Sequence, residues 1–175
     1  MKKNQKIIHG WGCNMNVRFI DTSIMCNLLE VPKMCDDKEE VKQEWKEVLE
    51  RKETLIMPLA TIIETGNHIA HIPDGNSRRA VSLRFKEFLE KTAESKAPWT
   101  LYGNALDSKE IKYIAENLDQ FTLRGTGIGD MTIIYAYEKY LKEEPAIGTI
   151  MIWSKDGHLS TYRQENVCMQ RRRKR

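Results

Sequence analysis

The chain has 175 residues, 41% apolar and 30% charged, with 28 basic and 25 acidic side chains. That length suits one domain with a real core, and that composition excludes a disordered chain. No apolar run reaches the roughly 18 residues that span a bilayer, and the basic start lacks the apolar stretch of a secretory leader, so a cytoplasmic protein without a membrane contact is expected.

The elements alternate along the chain. Val17–Ile20 is a β-branched and aromatic run ended by Asp21-Thr22-Ser23, which reads as a strand and a turn. Asp37–Lys52 carries Val41, Trp45, Val48 and Leu49 at helical spacing, with charges opposite. Thr54–Met57 reads as a second short strand. Pro58 opens a helix over Leu59–Ile72, and Pro73-Asp74-Gly75-Asn76 reads as a turn. Ser77–Ser95 is an amphipathic helix with Val81, Phe85, Phe88 and Leu89 as its apolar stripe. Trp99–Tyr102 is a third strand, and Ser108 caps a helix that runs through about Leu118. Gly125-Thr126-Gly127-Ile128-Gly129 reads as a flexible loop. The helix Asp130–Lys142 is almost wholly apolar through Tyr137, which predicts a buried element ended by Pro145. Thr149–Trp153 is a last strand. Short strands alternating with longer helices predict a three-layer α/β/α sandwich with a mostly parallel central sheet.

Four cysteines, Cys13, Cys26, Cys35 and Cys168, form no C-x-x-C pair and match no zinc spacing. They are expected as reduced core or incidental residues. The last five residues, Arg171 to Arg175, are all basic. Without them 23 basic side chains face 25 acidic ones, so the body is near neutral and residues 169–175 form a cationic tail. Such a tail can hold phosphates through salt-sensitive attraction or be a solvated terminus. Residues 1–168 are read as one domain.

Four acids stand at positions that matter. In open α/β sheets, ligands gather outside the carboxyl ends of the strands. Asp21 directly follows the first strand, and Asp156 follows Trp153 after Ser154 and Lys155. Asp130 heads the buried helix, where an acid can cap backbone N–H groups. It also shares a face with Ile134, Tyr137 and Leu141, and an inward acid needs a partner. Glu64 sits on an apolar helix in one stripe with Asn67, His68 and His71, which would otherwise be a solvent-facing side. Taken singly, each acid has an ordinary structural explanation. Together, converging carboxylates repel one another unless cations bind. Mg²⁺ and Mn²⁺ take oxygen ligands and suit such sites, where they activate water and offset charge during in-line attack on a phosphate.

Phe19-Ile20-Asp21-Thr22-Ser23 resembles the opening motif of PIN-domain ribonucleases. Thr61-Ile62-Ile63-Glu64 resembles the family's second motif, a helix carrying an acid. Gly129-Asp130-Met131-Thr132-Ile133-Ile134 resembles the third, an Asp starting an apolar helix. Ile152-Trp153-Ser154-Lys155-Asp156 resembles the fourth, a strand ending in Thr or Ser with a spaced Asp. Order and approximate spacing agree from Phe19 to Leu159. The resemblance implies a parallel sheet flanked by helices and Mg²⁺- or Mn²⁺-dependent cleavage of RNA phosphodiesters. It implies that Asp21, Glu64, Asp130 and Asp156 hold the metal, with Ser23 and Ser154 as supporting hydroxyls. Many small members of that family are toxins held by an antitoxin partner, and many form homodimers. The stretch Asp74–Leu118, the bulky Trp153 and the longer glycine loop depart from the small-toxin pattern. Arg18, Arg124, Lys155 and the basic tail are candidates for steering RNA, and DNA presents the same phosphates.

Other readings account for fewer residues. A haloacid-dehalogenase-like phosphatase wants a second Asp where Ser23 stands. A receiver domain would use Lys155 but leaves Glu64 and Asp130 without a task. Glu64, His68 and His71 share a face that could bind zinc, yet no HExxH motif is present. A non-catalytic RNA-binding or scaffold protein of the same fold is the alternative from a different class.

Overall fold

The computed structural model describes residues 16–102, 107–144 and 148–165. Cys13, Pro145, Cys168 and the basic tail 169–175 lie outside the described residues. The first strand, β1 (Val17–Ile20), has all four residues buried. Successive side chains of a strand point to opposite faces, so Val17 and Phe19 enter one core while Ile20 enters the other. A strand that is apolar on both faces belongs in the middle of a covered sheet.

β1 lies in the middle. With β2 (Thr54–Pro58), β3 (Trp99–Tyr102), β4 (Thr149–Trp153) and β5 (Arg163–Glu165), it forms a five-stranded sheet in the order β3-β2-β1-β4-β5. The first four strands are mutually parallel and β5 runs antiparallel to β4. In register, Ile20 faces Trp153 across the β1–β4 pair.

Helices cover both faces. One core joins Ile20, Leu55, Met57 and Trp153 to α1 (Thr22–Leu28), α2 (Lys38–Glu50), α3 (Leu59–Ala70) and α4 (Gly75–Ala93). The other joins Val17, Phe19, Ile56, Ile150 and Ile152 to α6 (Ile128–Glu143). Outside α6 lies α5 (Ser108–Leu123), which buries none of its own residues fully. The result is an α/β fold with a mostly parallel sheet and six helices, compatible with three layers. Among the described residues no helix is long and apolar enough to cross a membrane.

Several local expectations change. Asp21-Thr22-Ser23 does not merely end a strand. It starts α1, and Asp21 caps it by accepting from the Ser23 backbone N–H at 3.2 Å. Leu49 does not join the α2 stripe and is 38% exposed, because Val41 and Val48 already fill the inward face. Asp74 belongs to no free turn but caps α4, accepting from Ser77 N–H at 2.7 Å. Asp107, not Ser108, caps α5, accepting from the N–H groups of Lys109 and Glu110 at 2.8 Å each. That helix also runs on to Leu123. Ile128 and Gly129 are helical rather than loop, so Asp130 is the third residue of α6 instead of its head. The short strand β5, fully exposed and polar, has no apolar alternation to announce it.

The topology fixes one special place. From β1 the chain moves outward through β2 to β3, then returns past α5 and α6 to place β4 on the opposite side of β1. The carboxyl ends of β1 and β4 therefore flank the point where the winding reverses, the crevice in which open α/β sheets hold ligands. Asp21 follows the first strand and Ser154 follows the second.

Candidate acidic site

Asp21 is only 3% exposed. A carboxylate so deeply placed needs donors, and its Oδ2 has three. The Ser23 hydroxyl donates at 2.7 Å, the Ser154 hydroxyl at 2.7 Å, and the Ser23 N–H at 3.2 Å. The Asp21 N–H in turn donates to the Trp153 carbonyl at 3.1 Å. The two serines continue the network into the loop after β4. Ser23 Oγ accepts from Lys155 N–H at 2.9 Å, and Ser154 Oγ accepts from Asp156 N–H at 2.8 Å. Thus Ser23 and Ser154, the supporting residues of the sequence motif, stitch the ends of β1 and β4 together around Asp21.

Glu64 arrives from α3, a helix that touches both α1 and α6. Thr61, fully buried, fastens that helix to the sheet by donating from Oγ1 to the Ile20 carbonyl at 2.8 Å. The Thr22 hydroxyl then donates to Glu64 Oε2 at 2.9 Å. The carboxylate lies against the first turn of α6, in the space that a β-carbon on Gly129 would occupy. The polar stripe read on α3 therefore divides. Glu64 turns inward, while Asn67, His68 and His71 are exposed and His71 Nδ1 pairs with the Asn67 carbonyl at 2.7 Å. The two histidines do not gather with Glu64 into a metal-binding group.

Asp130 approaches from α6. Its Oδ2 accepts from the Gly127 N–H at 3.3 Å, which satisfies one free donor of the helix start. Burial pushes the Asp130 carboxyl above its ordinary value of 3.8, and the negative charges of Asp21, Glu64 and Asp156 push it further up. The Gly127 N–H pulls the other way and does not prevail. Asp21, Glu64 and Asp156 thus all lie within electrostatic reach of Asp130, with Asp156 the weakest contributor. Asp156 is exposed, and its Oδ1 accepts from the N–H groups of His158 and Leu159 at 2.8 and 3.0 Å. Those two bonds tie it to the segment that leads into the 3₁₀ turn Leu159–Thr161.

The donor chemistry of this cluster, carboxylates backed by hydroxyls, fits Mg²⁺ or Mn²⁺ and not a soft metal. Yet among the described residues no three His, Cys, Asp or Glu side chains stand close enough together to hold one ion. The reason is visible in the bonds above. Glu64 leans on Thr22, Asp130 on Gly127 and Asp156 on its own turn, so the carboxylates surround a common space without meeting in it. Mg²⁺ keeps several waters and needs only one or two carboxylates directly, so the residues present fit such an ion.

The basic candidates fare differently. Arg18 is 8% exposed and is consumed inside the fold. Its guanidinium pairs with Glu44 at 2.5 Å and Glu53 at 2.6 Å, and lies 5.1 Å from the Trp153 ring centre. It lines a cleft of about 540 Å³ at the opposite end of the sheet, bounded by Asn16 and Glu53, which precede β1 and β2, and by Thr149, which begins β4. The charges that line this larger cleft are engaged in ion pairs, Arg18 with Glu44 and Glu53 and Arg51 with Glu47 and Glu53. Lys155 is near the acids but pairs with Glu40 at 2.8 Å. Arg124 is exposed at the end of α5. Trp153 points away from the acids, stacked on Trp45 with its Nε1 donating to Glu44 at 2.8 Å.

Thr22, Thr61 and Gly129 were not singled out from sequence, although they stand inside the quoted motifs. The partners of the two threonines lie tens of residues away, and only the small size of Gly129 beside an acid could have signalled its role. Comparison with protein-family models finds no match, and comparison with curated proteins finds no matching relative.

Proposed function

We propose that this chain is a PIN-like, Mg²⁺- or Mn²⁺-dependent endoribonuclease that hydrolyses RNA phosphodiester bonds. The observation that supports this reading is the placement of Asp21 at the end of β1, with Glu64 bonded to the adjacent Thr22 and lying against the first turn of α6, where Asp130 feels the charge of both. Asp21, Glu64 and Asp130 would hold the ion, with Asp156 at the rim. When bound, a divalent ion supplies an activated water and offsets charge on the phosphate. Ser23 and Ser154 keep Asp21 Oδ2 fixed, and Thr22 keeps Glu64 turned toward the crevice. Lys155 and Arg124 contribute positive charge that draws a phosphate toward the acids. Under this reading an antitoxin-like protein and a second copy of the chain are the partners to seek.

The test is incubation of the purified chain with RNA and with DNA, in Mg²⁺ or Mn²⁺ and in EDTA. Cleavage of RNA that EDTA abolishes and that Asp21→Asn removes supports the assignment. If Asp21→Asn and Asp130→Asn both cleave like the parent, the site is wrong.

A second reading has one observation in its favour. Among the described residues the acids form no ready ligand set. A non-catalytic RNA-binding or scaffold protein of the same fold would look like this. Saturable RNA binding without metal-dependent cleavage would select it.

A further inference from the structure

Beside Glu64, a groove of about 290 Å³ opens between α3 and α6. Ile63 of α3 and Ile128 of α6 form its lips and are 54% and 53% exposed. Large apolar side chains left in water around a concave surface mark a binding site more often than chance exposure does. One wall is Tyr102, at the end of β3. Its ring is gripped edge-on by Phe19 and Tyr140, each at 6.0 Å, and its hydroxyl donates to Glu143 at 3.5 Å. That wall is therefore preformed.

The polar groups of the groove narrow the occupant. The Glu64 and Glu110 carboxylates and the Asn67 amide line it. Carboxylates accept hydrogen bonds and repel anions, so a phosphate does not belong here. A wholly apolar ligand would cover Glu110 and the remaining acceptor capacity of Glu64, beyond its bond from Thr22, without supplying donors. A flat ring with apolar faces and N–H donors on its edge satisfies both features. The volume is that of roughly one nucleoside, at the small end of ligand pockets. We propose that this groove receives one nucleobase of a single-stranded substrate whose adjoining phosphate lies at the acids, and that it favours bases with an exocyclic amino group. This deepens the nuclease reading and rests on it for the strand, while the base itself is held by groups that need no metal.

The experiment uses the whole chain without metal. Adenosine, guanosine, cytidine and uridine are titrated singly while backbone amide shifts are followed by NMR. The expected result is saturable shifts confined to α3, α6 and the end of β3, with uridine about tenfold weaker than the tightest amino-bearing nucleoside. Ile63→Asp, an exposed position whose change leaves the core intact, is expected to abolish the shifts. In the presence of Mg²⁺ or Mn²⁺, Ile63→Asp is expected to raise the KM for RNA and to flatten base preference at the cut site. Absence of saturable shifts for all four nucleosides overturns the proposal. So does an unchanged response in Ile63→Asp, or a dimer that Ile63→Asp dissociates, which would assign the groove to a second copy. Nucleoside binding in a chain that cleaves nothing keeps the base site and sinks the nuclease reading instead.

Discussion

The Glu64 carboxylate fills the space that any side chain at Gly129 would need. Two helices, α3 and α6, can approach here only because residue 129 has no β-carbon. Gly129→Ala is therefore expected to swing Glu64 out of the crevice or to push the helices apart. Overpacking of this kind costs about 1–3 kcal/mol, partly offset by the better helix propensity of Ala, about 1 kcal/mol. Metal-dependent cleavage should fall far more than the melting temperature. Gly127→Ser is the control, since a β-carbon there meets nothing and Ser suits a helix cap. Thermal unfolding and single-turnover cleavage of both variants decide the matter, and a Gly129→Ala chain as active as the parent would free Glu64 from any role.

Ser154 gives a second test, because it donates to Asp21 Oδ2 and accepts from the Asp156 N–H at once. Ser154→Ala removes one of three donors to a buried carboxylate, at about 1 kcal/mol of stability. Groups that orient a metal ligand typically matter about 10–100-fold in metal affinity. Titration of Mn²⁺ followed by electron paramagnetic resonance should show that loss, and Ser154→Thr should recover most of it. Equal Mn²⁺ affinity in all three proteins would mean that Ser154 only staples two strands.

The raised Asp130 carboxyl sets a pH dependence. In the folded chain it binds its proton more tightly than in the unfolded chain, because of burial and its acidic neighbours. Between its ordinary value of 3.8 and the raised one, the folded state holds more protons, so this group's contribution to stability falls as pH rises. Above that window the cost is fully present. Asp130→Asn keeps an acceptor for Gly127 and loses the charge, so it should be more stable than the parent at pH 7, with the difference vanishing below about pH 4. Urea denaturation across that range checks the sign. Added Mg²⁺ or Mn²⁺ should stabilise the parent more than the variant.

Arg18 is expected to matter for folding and not for cleavage. The Glu53 side chain is 3% exposed and depends on Arg18 at 2.6 Å, with Arg51 at 3.2 Å as its other cation. Arg18→Met leaves this buried carboxylate with only Arg51 and Asn16 as partners, which costs about 3 kcal/mol. Chemical denaturation should register that loss, while activity per folded molecule stays within about twofold. A selective loss of RNA affinity without loss of stability would return Arg18 to the substrate.

The thiols offer a chemical readout of the same region. Burial, and then the charges of Asp21, Cys35 and Glu64, push the Cys26 thiol up to about 12. Only a vanishing fraction is thiolate at neutral pH, and the thiolate is the reactive form. Iodoacetamide should label the half-buried Cys35 first and reach Cys26 only after unfolding, as mass spectrometry of peptides will show.

Which of these features could be read from the chain follows from the range of the interactions. The apolar runs of β1 and β4 and the stripes of α2 and α4 are local patterns, and they stand in the structure close to where the sequence puts them, except that Leu49 and Leu89, at the edges of their stripes, are exposed. The seven residues of α1 are too few to show a period, so its cap, Asp21, looked like the end of a strand. The strand β5 is paired by backbone alone and carries no apolar signal. At the site, Asp21 and Ser154 were marked by their places after strands. What was illegible is how Glu64 parts company with His68 and His71, because Thr22, 42 residues away, and Gly129 decide it. Arg18 was misjudged for the same reason, since Glu44 and Glu53 lie 26 and 35 residues further on.

The strand order also has a consequence in time. Ser154 stands 133 residues after Asp21, and the strand that it follows is the last parallel member of the sheet. During synthesis the chain emerges amino end first, so Asp21, Glu64 and Asp130 leave the ribosome before the strand that completes their crevice. Under the proposed nuclease reading, a chain built in this order would stay silent until β4 and the loop after it had emerged and folded against β1.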